Sequence, residues 1–395
     1  MTDAERISTR LSSEIIAIRR HLHQYPELSF QEYQTATFIR KMLEAWDIPY
    51  KTIGETGVYV DIVGKEEGPA IGLRADIDAL PIQEQADVPY KSKNDHVMHA
   101  CGHDGHTSIL LGAVHELYAK RDVLQGTVRC IFQPGEEADG AALALIEKGI
   151  LENPKLDAVV GLHLWPYLPF GSVGVKTGSM TASCDDFKIV IKGKGGHSAR
   201  PHEAVDAITI ATQLIQNLQS ITAKSFNPVH PMVIHVGKII GGEASNVVAD
   251  TVTMEGTVRA LQPDVRKKLQ TEVEKVCRAA ECLWDASVKV EFVLGAPPIE
   301  NDRLIANEFE AMAKELLGEE QVFELKDPSM GADDFGYFSE AVPSFYFRLG
   351  IKKEGEVSYD LHHPKFHFDD QVLAVGVDLY VNFATHLLKK VRASV

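Results

Sequence analysis

A chain of 395 residues is too long for one comfortable hydrophobic core, so two domains are expected. With 45% hydrophobic and 24% charged residues, its composition is that of a soluble globular protein. The formal charge of −16 argues against nucleic acid or an anionic membrane surface as partner, while leaving room for a local basic site that holds a small acid.

The opening stretch MTDAERISTRLSSEIIAIRR is predicted to form an amphipathic helix of mixed charge and lacks the order of a signal peptide. Up to about residue 180, strands then alternate with helices. YVDIV (59–63) and AIGLRA (70–75) read as strands, and TSILLGAVHELYAK (107–120) carries apolar residues at helical spacing. TVRCIFQ (127–133) is a strand stopped by Pro134-Gly135, AALALIEKGI (141–150) a helix closed by Gly149, and DAVVGLHL (157–164) another strand. Such alternation predicts a mostly parallel sheet covered by helices, an α/β catalytic domain.

The pattern restarts at about residue 183. DFKIVIKGK is a strand with one wet face, and EAVDAITIATQLIQNLQ a helix with Val205, Ile208, Ile215 and Leu218 on one side. PMVIHVGKI and DTVTMEGTVRA follow as strands, then the helix PDVRKKLQTEVEKVCRAAECL and the strand SVKVEFV. The order β-α-β-β-α-β is that of a ferredoxin-like α+β unit. Beyond it, the helix NDRLIANEFEAMAKELL, the strand SFYFRLG and a helix from about 371 cannot bury a core unaided, and are expected to complete the first domain. The expected division is therefore 1–182 and 298–395 for the catalytic domain, with 183–297 inserted.

No apolar run approaches the roughly 20 residues of a membrane-spanning helix. The five cysteines, Cys101, Cys130, Cys184, Cys277 and Cys282, are odd in number and scattered, which predicts free thiols and a reducing cytoplasm. Cys277 and Cys282 lie on a helical stretch and read as packing residues.

Chemistry-bearing groups gather in four segments. HACGHDGH (99–106) crowds histidines, a cysteine and an aspartate among glycines. Gly102 and Gly105 disfavour a helix, so an extended segment would turn Cys101 and His103 to one side as half of a site for zinc- or manganese-like ions. A nucleophile and a core thiol are the alternatives for Cys101. Glu136 and Glu137 follow the strand 127–133, at the strand's carboxyl end where open α/β sheets place ligands, so that one carboxylate can face a metal and the other a water. His163 closes the strand 157–164, and His362, His363 and His367 lie in a loop with Pro364. Asp76 and Asp104 are candidates to orient a ligating imidazole through its free N–H.

RADIDALP (74–81), HACGHDGHT (99–107), FQPGEE (132–137), GLHLWP (161–166), GGHSARPHEAVDAI (195–208), GADDFGYF (331–338) and LHHPKF (361–366) resemble, in order and spacing, the aminoacylase, hippurate-hydrolase and auxin-conjugate-hydrolase branch of metallopeptidase family twenty. The resemblance implies a zinc-peptidase-like catalytic domain with an inserted domain that makes homodimers and reaches into the active site. It implies two divalent ions per subunit, manganese or zinc with cobalt or nickel as substitutes, held by Cys101, His103, Glu137, His163 and His362, with His363 as the alternative to the last. Glu136 is implied as general base toward a metal-activated water, Asn246 and Arg259 as contacts for the substrate carboxylate, and His197 as an oxyanion donor acting across the dimer. The expected activity is hydrolysis of an N-acetyl or N-benzoyl amino acid. The alternatives are a dipeptidase or carboxypeptidase of the same family, and a cysteine hydrolase using Cys101. Metal storage or sensing would have no use for Glu136.

Overall fold

The computed structural model describes residues 9–138 and 140–392. Contacts divide the chain into a larger unit, Met1–Gly178, Glu300–Asp327 and Tyr337–Val395, and a smaller one, Ser179–Ile299 with Pro328–Gly336. The segment Pro328–Gly336, kept with 298–395 in the sequence reading, joins the smaller unit through its backbone. Ser329 donates to Met180, and Gly331 accepts from Ala182, each at 3.0 Å.

In the larger unit the strands β1 (Lys51–Ile53), β2 (Gly57–Val63), β3 (Glu66–Asp76), β4 (Gln125–Gln133), β5 (Ala158–Pro169) and β6 (Val173–Val175) join the later strands Val322–Glu324 and Ser344–Lys352. The sheet order is β1-β2-β4-β3-β5, then 344–352, β6 and 322–324. Its centre, from β4 through β3 and β5 to 344–352, is parallel, and the antiparallel pairings are β1/β2, β2/β4 and 344–352/β6. The second half of β3, the first seven residues of β5 and nearly all of 344–352 are buried on both faces, as helix-covered parallel strands must be.

Helices α1 (Thr9–Gln24), α2 (Tyr33–Ala45), α3 (His103–Ala119) and α4 (Ala141–Glu147) and the later helices Arg303–Leu317 and Val372–Arg392 complete this unit's main helical cover. Residues 1–8 of the predicted opening helix lie outside the described residues. The sequence reading passed over α2, whose buried Thr35, Ala36, Ile39 and Leu43 do carry helical spacing. Helix α3 is buried from His103 through Val114, a cylinder covered on all sides. A Cβ on its Gly112 would come within 2.5 Å of Ile15 and 2.7 Å of Val377, so the glycine is what lets α1 and the C-terminal helix close on it. That C-terminal helix is, over Val372–Lys390, long and apolar enough to cross a membrane by length and composition, which corrects the reading that no such run exists. Its apolarity has a local use: Leu373, Val377, Leu379, Phe383 and Leu387 are buried in the core of this unit.

The smaller unit has an antiparallel sheet in the order 232–241, 251–260, 185–192, 287–294, against which the helices Ala207–Lys224 and Pro263–Trp284 pack in β-α-β-β-α-β sequence. The buried stripe of the first helix is Ile210, Leu214, Leu218 and Ile221. Of the expected Val205, Ile208, Ile215 and Leu218, Leu218 lies in this stripe and Val205 and Ile215 pack partly buried against the core, while Ile208, in the first turn after the Asp206 cap, is 43% exposed. Cys277 packs in the core of this unit, whereas Cys282 is exposed and fills no packing role. The whole is a mixed α/β protein, with a mostly parallel sheet in the larger unit and a ferredoxin-like unit formed mid-chain.

Candidate metal centre

Helix α3 begins at His103, four residues earlier than its apolar periodicity suggests. Gly102 is its N-terminal cap at φ 90, a left-handed conformation that suits glycine. Gly105 lies inside the helix, where a Cβ would strike Leu164 at 2.7 Å and Phe368 at 2.8 Å. That glycine is present for packing and does not break the helix. Cys101 and His103 therefore meet around a helix start, and the extended segment inferred from the sequence is not formed.

The ring nitrogens assign the donors. His103 Nδ1 lies 3.0 Å from the carbonyl of Asp78 and 3.2 Å from its carboxylate, so it holds a proton there and Nε2 is the nitrogen left to meet a cation. His163 Nδ1 donates to the Leu164 carbonyl at 2.6 Å, leaving Nε2 pointed at Cys101 Sγ, 3.4 Å away. Cys101, His103 and His163 are buried, and their ligand atoms lie within 4.8 Å of one another. A second group, Cys101, Glu137 and His362, meets the same limit and shares the sulfur. Glu137 Oε1 stands 3.4 Å from His362 Nε2 and 3.8 Å from His103 Nε2. Donors at 2.0–2.3 Å from a tetrahedral ion sit about 3.3–3.8 Å apart, so these spacings suit divalent cations. Two of the atoms, His103 Nε2 and Glu137 Oε1, are buried with no hydrogen-bond partner. With His103 deprotonated, these lone pairs would face one another across the cluster, and a cation can take the place of the proton between them.

His106, next to this set, is closed to metal. Its Nδ1 donates to Asp76 at 2.7 Å and its Nε2 accepts from the Leu164 amide at 3.0 Å. Asp76 is thus occupied by His106 and Arg74, and the carboxylate that orients His103 is Asp78, which the sequence reading did not single out. Asp78 also accepts from the Glu137 amide at 3.0 Å and from Ser29. Glu32 accepts from the Gly135 amide at 2.8 Å, so two carboxylates grip the turn that carries Glu136 and Glu137. His362 has φ 63, and its amide donates to the Ala100 carbonyl at 2.8 Å, tying its loop to the Cys101 segment. His363 turns away to stack on Tyr359, and His367 is exposed.

Asp104 has no imidazole ligand to orient. It pairs with Arg19 at 2.7 Å and His23 at 2.8 Å on α1, and His23 reaches Glu84 at 3.1 Å. Burial opposes the charge on Asp104, but Arg19 and His23 hold its carboxyl far below the usual carboxylate range. Removing one member of a buried pair strands the other, so Asp104→Ala is expected to cost about 3–5 kcal/mol in urea unfolding. A loss below about 1 kcal/mol would mean that the network contributes little.

The electrostatics bear on Cys101 directly. Burial pushes its thiol well up, and Glu137, Glu136 and Asp76 push it further. Burial lowers the basicity of His163, with His106 adding to the effect. His103 is the opposite case: burial disfavours its charge, yet Asp76 and Asp78 raise its pKa to about 10. A thiol facing three carboxylates becomes a thiolate when a cation compensates it.

In the smaller unit His197 is exposed on the two-residue strand Gly196–His197, which pairs with Val247–Val248, and its Nδ1 accepts from the Ala199 amide at 3.1 Å. Asn246 is exposed, with its carbonyl taking the Ser198 amide at 3.2 Å. Arg259 donates to the Met330 carbonyl at 3.0 Å.

Residues 72–386 match the family model described as Peptidase family M20/M25/M40. The chain is 43% identical over 364 residues to the N-acetyl-L-cysteine deacetylase of Bacillus subtilis (strain 168), covering 92% of this chain and 85% of that one. It is 36% identical to the IAA-amino acid hydrolase ILR1-like 2 of Arabidopsis thaliana, over 98% of this chain and 90% of the relative. Among solved structures it is similar to the YXEP protein of Bacillus subtilis, a dinuclear metal-binding peptidase, with a TM-score of 0.86 and 36% identity over 97% of this chain and 99% of that one.

Proposed function

This chain belongs to peptidase family M20/M25/M40, and we propose on that footing that it hydrolyses the amide bond of N-acyl amino acids. The observation that carries the reading is the convergence of His103 Nε2, His163 Nε2, Cys101 Sγ and Glu137 Oε1, with Glu136 Oε2 beside them at 3.9 Å from His103 Nε2. In this proposal Cys101, His103, Glu137, His163 and His362 hold two divalent cations, manganese or zinc, with cobalt or nickel as substitutes. Such ions supply Lewis acidity and bring the pKa of water to about 7.

The chain's own groups do the rest. Glu136 takes the proton of the attacking water and passes it to the leaving amine. Asp78 holds His103 in the tautomer that keeps Nε2 free and fixes the Glu137 amide, which keeps the two glutamates on separate tasks. Asn246 and Arg259 are proposed contacts for the substrate's carboxylate, as a guanidinium suits that group. The exposed His197 is proposed to donate an N–H to the oxyanion in the site of a partner subunit, which makes the working form a homodimer. A cytoplasmic setting is proposed from the five free thiols.

The cysteine-hydrolase reading has the 3.4 Å Cys101–His163 contact in its favour. Weighing against it, burial and the nearby Glu137, Glu136 and Asp76 push the thiol's pKa up, and a cysteine nucleophile leaves the glutamate pair and His362 unused. Release assays over N-acetyl, N-benzoyl and N-succinyl amino acids, with dipeptides alongside, test the activity. Preferred turnover of dipeptides would move the assignment to a peptidase. The trans role has its own test, since Glu136→Ala and His197→Ala protomers damage different groups. Mixed under demonstrated subunit exchange, the two inactive variants are expected to recover a fraction of activity. No recovery would place His197 in its own chain's site or outside catalysis.

A further inference from the structure

Among the described residues, four arginines of the larger unit are buried to 6% exposure or less. Arg19 is met by Asp104 and Asp370, Arg74 by Asp76 and Gln133, and Arg129 by Asp61 and three backbone carbonyls. Arg348 differs. Among the described residues it makes no ion pair and no hydrogen bond, and its Nη2 is buried and unpartnered. Its one charge-specific contact is the face of Trp165, with the guanidinium carbon 3.6 Å from the ring centroid. Burial lowers its pKa to about 10, so it remains a cation at neutral pH. A stacked aromatic face offsets only part of what an unpaired buried charge costs.

The placement of Arg348 is informative. It lies opposite His163 in the parallel register between 344–352 and β5, and paired residues on neighbouring strands face the same side. The neighbours Phe347 and Leu349 fill the core on the other face. Arg74 pairs with Gly161 and Asp76 with Gln133, so the His163–Arg348 level is where β3 and β4 end. That is the rim at which parallel sheets receive ligands. Trp165 follows His163 on the same face, with the two rings 5.9 Å apart.

We propose that Arg348, laid on Trp165, is the receptor for a carboxylate of the ligand bound at this centre. The inference rests on the N-acyl-amino-acid reading for the identity of that ligand, and extends it by naming a recognition group on the catalytic unit itself. The carboxylate has two sources, the α-carboxylate common to all substrates or a second one on a dicarboxylic acyl group or amino acid.

Arg348→Met keeps the stack on Trp165 and removes the charge. In the metal-loaded enzyme, titration with acetate and succinate is expected to change Trp165 fluorescence saturably, and to do so neither in Arg348→Met nor in Trp165→Phe. The variant's KM is expected to rise about 10- to 100-fold with kcat within about threefold, the pattern of a lost ground-state contact. A rise across the whole panel assigns the α-carboxylate, whereas one confined to N-succinyl or N-acyl-glutamate substrates assigns the second. The melting temperature of Arg348→Met is expected to hold or increase, because an uncompensated charge has been removed. Equal carboxylate binding by variant and wild type, or a melting temperature lower by several degrees with KM unchanged, would make Arg348 a packing residue and overturn the proposal. Chloride saturating the signal as well as acetate would overturn the carboxylate assignment. Should the wild type turn over no N-acyl amino acid, the functional reading falls, and the fluorescence titration still decides Arg348.

Discussion

Cys101→Ser is expected to emerge folded, depleted of metal and inactive. The sulfur belongs to both donor groups, one with His103 and His163 and one with Glu137 and His362, so its loss weakens both at once. Serine is close in shape, but its hydroxyl does not ionise in this carboxylate-lined pocket and is a poor partner for a borderline-soft ion. Removing outer groups around a metal costs about 10- to 100-fold in affinity or activity, and the loss of a shared ligand should exceed that range. Metal analysis of the dialysed protein by plasma mass spectrometry, beside circular dichroism, provides the check. A variant with full metal and no activity would instead make the sulfur a nucleophile.

Glu136→Gln separates the two adjacent glutamates. Glutamine preserves volume and hydrogen bonding but cannot accept the proton, so the protein should fold, keep its metal and lose roughly 10²-fold or more in kcat. Glu137→Gln should instead lose metal, because the orphaned Oε1 between His362 and His103 belongs to that residue. Near wild-type kcat in Glu136→Gln would remove it from the proton path. Metal loss in Glu136→Gln with retention in Glu137→Gln would exchange their roles.

Much of this centre was legible because chemistry-bearing residues sit at strand ends, and strand ends follow from periodicity and from Pro-Gly stops. FQPGEE illustrates this: the buried strand stops at Gln133 and its turn delivers Glu136 and Glu137. The start of α3 was not legible, because a glycine that weakens a helix locally is demanded by Leu164 and Phe368, neighbours supplied by distant sequence. Asp78, Glu32, His23 and Arg19 were missed for a related reason. Their roles lie in pairings across 25 to 351 positions, and no local pattern announces which carboxylate will meet which imidazole. Arg348 was hidden inside SFYFRLG, which was read only as a strand completing the first domain. The buried stripe of Ala207–Lys224 was legible in part: Leu218 lies in it, whereas Ile208, in the helix's first turn, faces outward.

The order of the strands has a consequence for synthesis on the ribosome. The smaller unit draws its core from Phe187 to Val288, a contiguous stretch that is complete while the last hundred residues are still unmade. The large sheet has no such independence, because β5 waits for the strand 344–352 to pair along its open side. Until then the nascent chain presents β5 as an uncovered edge, the kind of surface on which chains associate wrongly. Ligands at Cys101 and His362 cannot meet before that strand arrives. Metal loading is therefore an event of the finished chain, and a chain cut short before the strand 344–352 yields a folded smaller unit attached to an aggregation-prone half sheet.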